Sequence, residues 1–381
     1  MIDTKEKREL DDVHSDFVGS FLRPQSLKDA YEQFDAGEID ADALTGAQDT
    51  AIRALITQQD RLGLPIAGDG EFRRRVFMES FSDVSGLEPW RASLVSEAAR
   101  VNATAAVSTA AKSTVEQSRF AVTQRLTLLR NALLDEFTFA GSLTPKPVKV
   151  TLIGPDRLAM RFDAENSRSF YPGGVEEFLD DVVKIERTMI GDLYAAGCRY
   201  VQLDSSPYTA YADPSSLAEM RAQGEDPDAK MQRAIAVDNS VMENFADMTF
   251  GMHLCRGNKR GHYHREGKYD AIAERLFNTL ACDRILLEYD DERSGGFEPL
   301  RFVPKGKIVV LGLITTKHGG VESVDELRRR IDEAARYLSL EQLALSPQCG
   351  FASALAGNAL TEEEQWRKIG VMLETVRAVW G

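Results

Sequence analysis

Residues 174–204 read GVEEFLDDVVKIERTMIGDLYAAGCRYVQLD, and two periodicities meet inside them. From Gly174 to Ala196, apolar side chains recur at Phe178, Val182, Ile185, Met189 and Leu193, a three-to-four spacing that gives a helix one buried stripe. At Arg199–Leu203 the pattern becomes a short apolar run, the signature of a buried strand. A helix leading straight into such a strand is the repeating element of α/β folds.

The alternation extends in both directions. Further strand candidates are Asp16–Gly19, Pro65–Ala67, Val148–Ile153, Thr249–Leu254, Arg284–Leu287, Ile308–Leu313 and Gln342–Leu345. Helical periodicity returns at Asp325–Leu338 and at Thr361–Val379. The last of these opens on Thr361 followed by Glu362, Glu363 and Glu364, an N-cap with acidic residues facing the helix dipole. Eight strands alternating with helices predict an α/β fold of the (β/α)8 TIM-barrel type rather than a doubly wound sheet. The piece from Glu71 to Lys146 is too long for one strand-to-helix unit. Its middle, ASLVSEAARVNATAAVSTAAKSTVEQ, suits a hairpin, a helix pair or a cover over one barrel end. We read residues 87–145 as an insertion after the second strand, within one domain spanning residues 1–381. No G-x-G-x-x-G or G-x-x-x-x-G-K-[ST] pattern supports phosphate-loop chemistry.

Composition narrows the function. Among 381 residues, 46 Lys and Arg face 60 Asp and Glu, a formal charge of −14. That excess argues against nucleic-acid and anionic-membrane partners, which need a positive footprint. Four cysteines (Cys198, Cys255, Cys282, Cys349) are too few for a disulfide scaffold of this size. The opening MIDTKEKREL lacks the apolar core of a signal peptide, and no apolar run is long enough to span a bilayer. A reduced, cytoplasmic enzyme is the expectation.

The strongest local signal is GMHLCRGN, Gly251–Asn258. His253 and Cys255 are two apart, so an extended strand points both side chains to one face. An imidazole and a thiol projecting together suit a borderline-soft metal, zinc foremost; the competing reading is a core histidine beside a buried thiol. Glu288 ends RILLE and Cys349 follows QLALSPQ. In a barrel both fall on the carboxyl rim beside His253 and Cys255, where such barrels place their chemistry. Cys198 and Cys282 sit away from strand carboxyl ends and read as packing residues. Ser20 in DFVGSFLRP, Glu71 in GDGEFRRR, Asp204 in VQLD and His318 in LITTKHGG converge on the same rim.

These motifs make the chain resemble the cobalamin-independent methionine synthases, specifically their zinc-bearing carboxyl-terminal barrel and the short single-barrel bacterial type. The resemblance runs from Asp16 onward, is weakest between Leu87 and Leu133, and rests on VGSFLRP (Val18–Pro24), DGEFRR (Asp69–Arg74), QLDSSPY (Gln202–Tyr208), HLCRGN (His253–Asn258), LEYDDERSGGFEPLRF (Leu287–Phe302) and LALSPQCGFAS (Leu343–Ser353). It implies zinc held by His253, Cys255, Glu288 and Cys349. It implies Glu71 and Asp204 at the substrate's ammonium group, and Ser20 with the backbone of Val18 and Gly19 at its carboxylate. His318 resembles the family's histidine for proton delivery at the methyl donor.

Two departures stand out. The family usually has Asp-Glu-Pro where this chain has Asp204-Ser205-Ser206-Pro207, and the large synthases carry an additional amino-terminal barrel with no counterpart here. The reaction implied is methyl transfer to a thiol, homocysteine foremost, giving methionine. The donor is left open among methyl-folate, methylcobalamin and a small methylated metabolite, as is the oligomeric state, a homo-oligomer included. Arg73, Arg74, Arg75, Lys259 and Arg260 form a basic group able to attract an anionic reactant, or else a solvated charged face. The competing functions are alkyl transfer to another thiol, as in coenzyme M transferases, and a non-catalytic zinc-binding protein.

Overall fold

A computed structural model describes residues 10–92, 94, 119–258 and 260–381. Two short strands, β1 (Val84–Ser85) and β2 (Thr127–Leu128), form an antiparallel ladder. Six more build one parallel sheet in sequential order: β3 (Lys149–Ile153), β4 (Tyr200–Asp204), β5 (Thr249–Leu254), β6 (Arg284–Glu288), β7 (Ile308–Ile314) and β8 (Leu343–Pro347). Every residue of these six strands is buried, which is why their sequences are near-continuous apolar runs instead of alternating ones.

The helices follow the predicted stripes. Val175–Ala195 buries Phe178, Val182, Ile185, Met189 and Leu193. Glu362–Trp380 opens with a reciprocal capping box between Thr361 and Glu364, which satisfies two otherwise orphaned amide donors.

The two expected amino-terminal strands are reduced to single parallel bridges, Ser15 with Leu345 at the β8 edge and Ala67 with Val148 beside β3. Side chains take the backbone groups a longer ladder would use. Gln59 pairs with both the N–H and the C=O of Gly68, at 3.0 and 2.9 Å. Gln202 Nε2 donates to the carbonyl of Val18 at 2.7 Å.

Two kinds of interior result. Helices pack on one face of the sheet, whereas Val18 joins Leu286, Ile308, Val310 and Ala344 in a separate apolar cluster. Near it Asp16 is fully buried between Lys149 (2.8 Å) and Arg284 (3.2 Å) and accepts from Tyr200. Arg284 also donates to the carbonyls of Leu10 and Val13, tying the amino-terminal segment under the sheet.

Of the expected insertion, most of Ala92–Gln117 lies outside the described residues. Its flanks meet in the β1–β2 ladder, Trp90 and Leu94 are buried, and Phe120 bridges to Phe162. Among the described residues, no helix is long and apolar enough to cross a membrane.

Candidate metal centre

The parallel register carries the site. It pairs Asp204 with His253, and Glu288 with Gly312, so consecutive strands end with their polar side chains on one rim. His253 is the fifth residue of β5, and Cys255 follows directly after that strand. Cys349 comes two residues after β8. The ligand atoms of His253, Cys255 and Cys349 lie within 4.8 Å of one another, and all three residues are buried.

The imidazole is oriented from behind. Its Nδ1 lies 3.1 Å from Asp204 Oδ1, and its Nε2 is buried without a hydrogen-bond partner. An orphaned buried ring nitrogen is costly unless a ligand takes it, and a carboxylate on the far nitrogen is how metal-binding histidines are held. Burial opposes protonation of His253, but the Cys255 thiolate and Asp204 outweigh it and push its pKa up to about 10. The Cys349 S–H donates to Cys255; that bond holds Cys255 well below, and Cys349 well above, the ordinary thiol range. One imidazole and two thiols sharing protons at this distance fit a soft or borderline cation that would displace those protons.

Glu288 is on the same rim but outside that trio. Its Oε2 accepts the backbone N–H of Arg256 at 2.6 Å, while Oε1 receives Lys317 at 3.1 Å and Arg293 at 3.3 Å. Burial raises its pKa, opposed chiefly by Lys317. Lys317 and Arg293 were not expected from the sequence; the signal available was a lysine at a strand's carboxyl end opposite the acidic run Glu288–Glu292.

The other predicted residues divide. Glu71 is buried in a left-handed conformation (φ 59°). Its Oε1 accepts from Thr151 at 2.8 Å, and its Oε2 is buried without a partner. Burial pushes its pKa up to about 7, with Arg74 opposing and Asp204 adding to the rise. Gly19 packs directly on it: a Cβ there would stand 2.6 Å from Glu71 Oε1. Ser20 abuts Gly350, next to Cys349, and its carbonyl accepts from Phe351 at 2.9 Å. Ser205, one of the two serines between Asp204 and Pro207, donates to the buried Asp238 at 3.1 Å. His318 is exposed, and its ring accepts the N–H of Gly320 at 3.1 Å.

Three arginines of the expected basic group are engaged with carboxylates. Arg73 pairs with Asp49, Arg75 with Asp35, and Arg74 is buried against Glu136. Arg260 lies in the loop after β5 with φ 52°, and Lys259 lies outside the described residues.

The family model for the cobalamin-independent synthase catalytic domain matches residues 14–370. The chain belongs to this family. An uncharacterised Bacillus subtilis protein, YxjG, is 37% identical over 373 residues, covering 96% of this chain and 94% of its own. A methionine synthase from Pyrococcus abyssi is 25% identical, over 97% of this chain and 94% of its own. Among solved structures, a Listeria monocytogenes protein provisionally assigned as a vitamin-B12-independent methionine synthase superposes with a TM-score of 0.73. It is 28% identical, with 97% of this chain and 98% of that one covered. The synthase-family match includes the His253, Cys255 and Cys349 cluster and both segments that bridge to the sheet edges.

Proposed function

We propose that this synthase-family chain is a zinc-dependent methyltransferase that moves a methyl group from a donor to the sulfur of homocysteine, giving methionine. The observation that carries the reading is the orphaned Nε2 of His253 beside the thiols of Cys255 and Cys349. Zinc bound there would hold a substrate thiol as its reactive thiolate at neutral pH. His253, Cys255 and Cys349 would be the constant ligands, with Glu288 the fourth. Asp204 fixes the ring of His253, and its second role is at the substrate's ammonium group with Glu71. The unpartnered, buried Oε2 of Glu71 supports this, because a buried lone acceptor calls for a donor, and a sulfonate thiol has no ammonium to supply one. Ser20 and the Val18–Gly19 backbone would receive the carboxylate, and His318 would deliver a proton at the donor. Binding the amino-acid end at both its ammonium and its carboxylate lets orientation supply part of the rate.

The same reading takes the segments around Ser15 and Ala67 as the first two staves of a closed (β/α)8 barrel, in one domain with its insertion at 87–145. The Phe21 N–H to Gly70 C=O bond (3.2 Å) between those segments supports closure. Ligand thiols must stay reduced, and all four cysteines are free, which supports a cytoplasmic setting. The test is methionine formation from homocysteine across a panel of methyl-folates, methylcobalamin and small methylated metabolites, with zinc X-ray absorption alongside. Product from one donor and a sulfur ligand gained on adding homocysteine are expected. No product from any donor, with unchanged zinc coordination, would reject the reading.

A further inference from the structure

Glu288 is held by two cations that are themselves anchored elsewhere. Lys317 Nζ reaches both oxygens of Asp290, at 2.9 and 2.8 Å, and Glu288 only at 3.1 Å. Arg293 is bonded to Asp291 through its Nε at 3.0 Å and also through Nη2, and touches Glu288 at 3.3 Å. Each cation therefore keeps a carboxylate partner if Glu288 leaves. The opposite oxygen of Glu288 is pinned at 2.6 Å to the N–H of Arg256, the residue after Cys255. Glu288 thus spans the backbone next to Cys255 through one oxygen and the two cations through the other. Its side chain is fully buried and that of Asp290 is 2% exposed, so these contacts lie where charge pairing is weakly screened.

We infer that Lys317, seconded by Arg293, positions Glu288 as a retractable ligand, holding its carboxylate off the His253, Cys255 and Cys349 cluster so that a substrate thiol finds the fourth position. This rests on the zinc reading above. Three carboxylates (Glu288, Asp290, Asp291) face two cations, so a divalent ion at the cluster competes with the clamp for Glu288, and an arriving thiolate returns Glu288 to it. A carboxylate without the clamp would stay on the metal and oppose the thiol.

The experiment is zinc titration against a chromophoric chelator, together with homocysteine titration of the cobalt-loaded protein followed by its thiolate-to-metal absorption. Lys317→Met alone strands the buried Asp290, so the informative variant is Lys317→Met with Asp290→Asn. It is expected to bind zinc about tenfold tighter and homocysteine about tenfold more weakly than wild type, on the scale typical of groups behind a metal ligand. Lys317→Arg should restore both values, and adding Glu288→Gln should erase both effects. Zinc and thiol affinities equal to wild type, or changes that persist with Glu288→Gln, would overturn the clamp alone. A wild-type protein that takes up no zinc would overturn the metal reading and the clamp with it.

Discussion

His253 Nδ1 meets Asp204 Oδ1 at 3.1 Å across one rung of the β4–β5 ladder, and that contact decides which ring nitrogen faces the thiols. Asp204 thereby orients a residue of the candidate metal centre as well as facing the expected ammonium site. Replacing Asp204 with Asn should weaken zinc binding by roughly 10- to 100-fold, the usual cost of losing the group behind a ligating imidazole. Chelator competition measures it. An unchanged zinc affinity would confine Asp204 to substrate.

Gly19 leaves the space that Glu71 fills. A Cβ at residue 19 would stand 2.6 Å from Glu71 Oε1 and 2.7 Å from Thr151 Cγ2. Gly19→Ala should cost about 1–3 kcal/mol of stability through overpacking. It should also raise the KM for the amino-acid thiol, since misplacement near 1 Å can cost about a hundredfold. Thermal melts and steady-state kinetics read the two effects; a KM equal to wild type would separate Glu71 from the substrate.

The buried Glu71 also makes a pH prediction. Burial lifts its folded pKa to about 7 from an ordinary 4.5. Between those values the folded state holds a proton that the unfolded chain has released, so stability falls as pH rises through this window and levels above it. Glu71→Gln should remove that part of the slope. Ammonium binding needs the ionised form, so wild-type affinity for the thiol should improve as pH rises through about 7, and Glu71→Gln should not show the step. Melting curves from pH 4 to 9 for both proteins suffice; parallel curves would count against the shift.

Much of this architecture is legible in the residues, and the exceptions have a physical pattern. Thr249–Leu254 stands as predicted, and the other five sheet strands differ by one or two residues at their ends, because strands buried on both faces write uninterrupted apolar runs. Asp16–Gly19 and Pro65–Ala67 carry the same kind of run yet form single bridges; Gln202 takes the Val18 carbonyl from distant sequence, and Gln59, nearby in the chain, takes both backbone groups of Gly68 just past the second segment. The His253–Cys255 pair was visible because spacing of two fixes a shared face. The hold on Glu288 was not. It depends on Lys317, 29 residues away, and local pattern contains no account of which buried cation meets which carboxylate. His318 drew attention by its chemistry, whereas its neighbour Lys317 makes the contact.

The salt-bridged base of the sheet predicts a large stability effect remote from the candidate metal centre. Asp16 is wholly buried, with Lys149, Arg284 and Tyr200 all on its two oxygens. Lys149 and Arg284 hold its carboxyl below the ordinary range despite burial. Asp16→Asn removes the charge opposite two buried cations, a change that typically costs about 3–5 kcal/mol. Urea unfolding should show that loss, with zinc stoichiometry unchanged in the folded fraction. A loss under about 1 kcal/mol would mean that Gln202 and the backbone carbonyls carry the two cations without Asp16.

The four buried cysteines should separate cleanly by substitution. Cys255 and Cys349 have their sulfurs within 4.8 Å of a His253 nitrogen. Cys198 instead contacts the backbone carbonyls of Val148 and Tyr200, and Cys282 is buried with its thiol raised to about 12. Burial that raises a thiol keeps it protonated and inert. Cys255→Ser and Cys349→Ser should therefore lose bound zinc and methyl-transfer activity, because a serine hydroxyl replaces a thiolate ligand poorly. Cys198→Ser and Cys282→Ser should retain zinc and lose about 1–3 kcal/mol of stability, the cost of a poorly paired buried hydroxyl. Metal analysis of the four purified proteins decides it: full zinc in Cys255→Ser with full activity would remove the thiol from the centre.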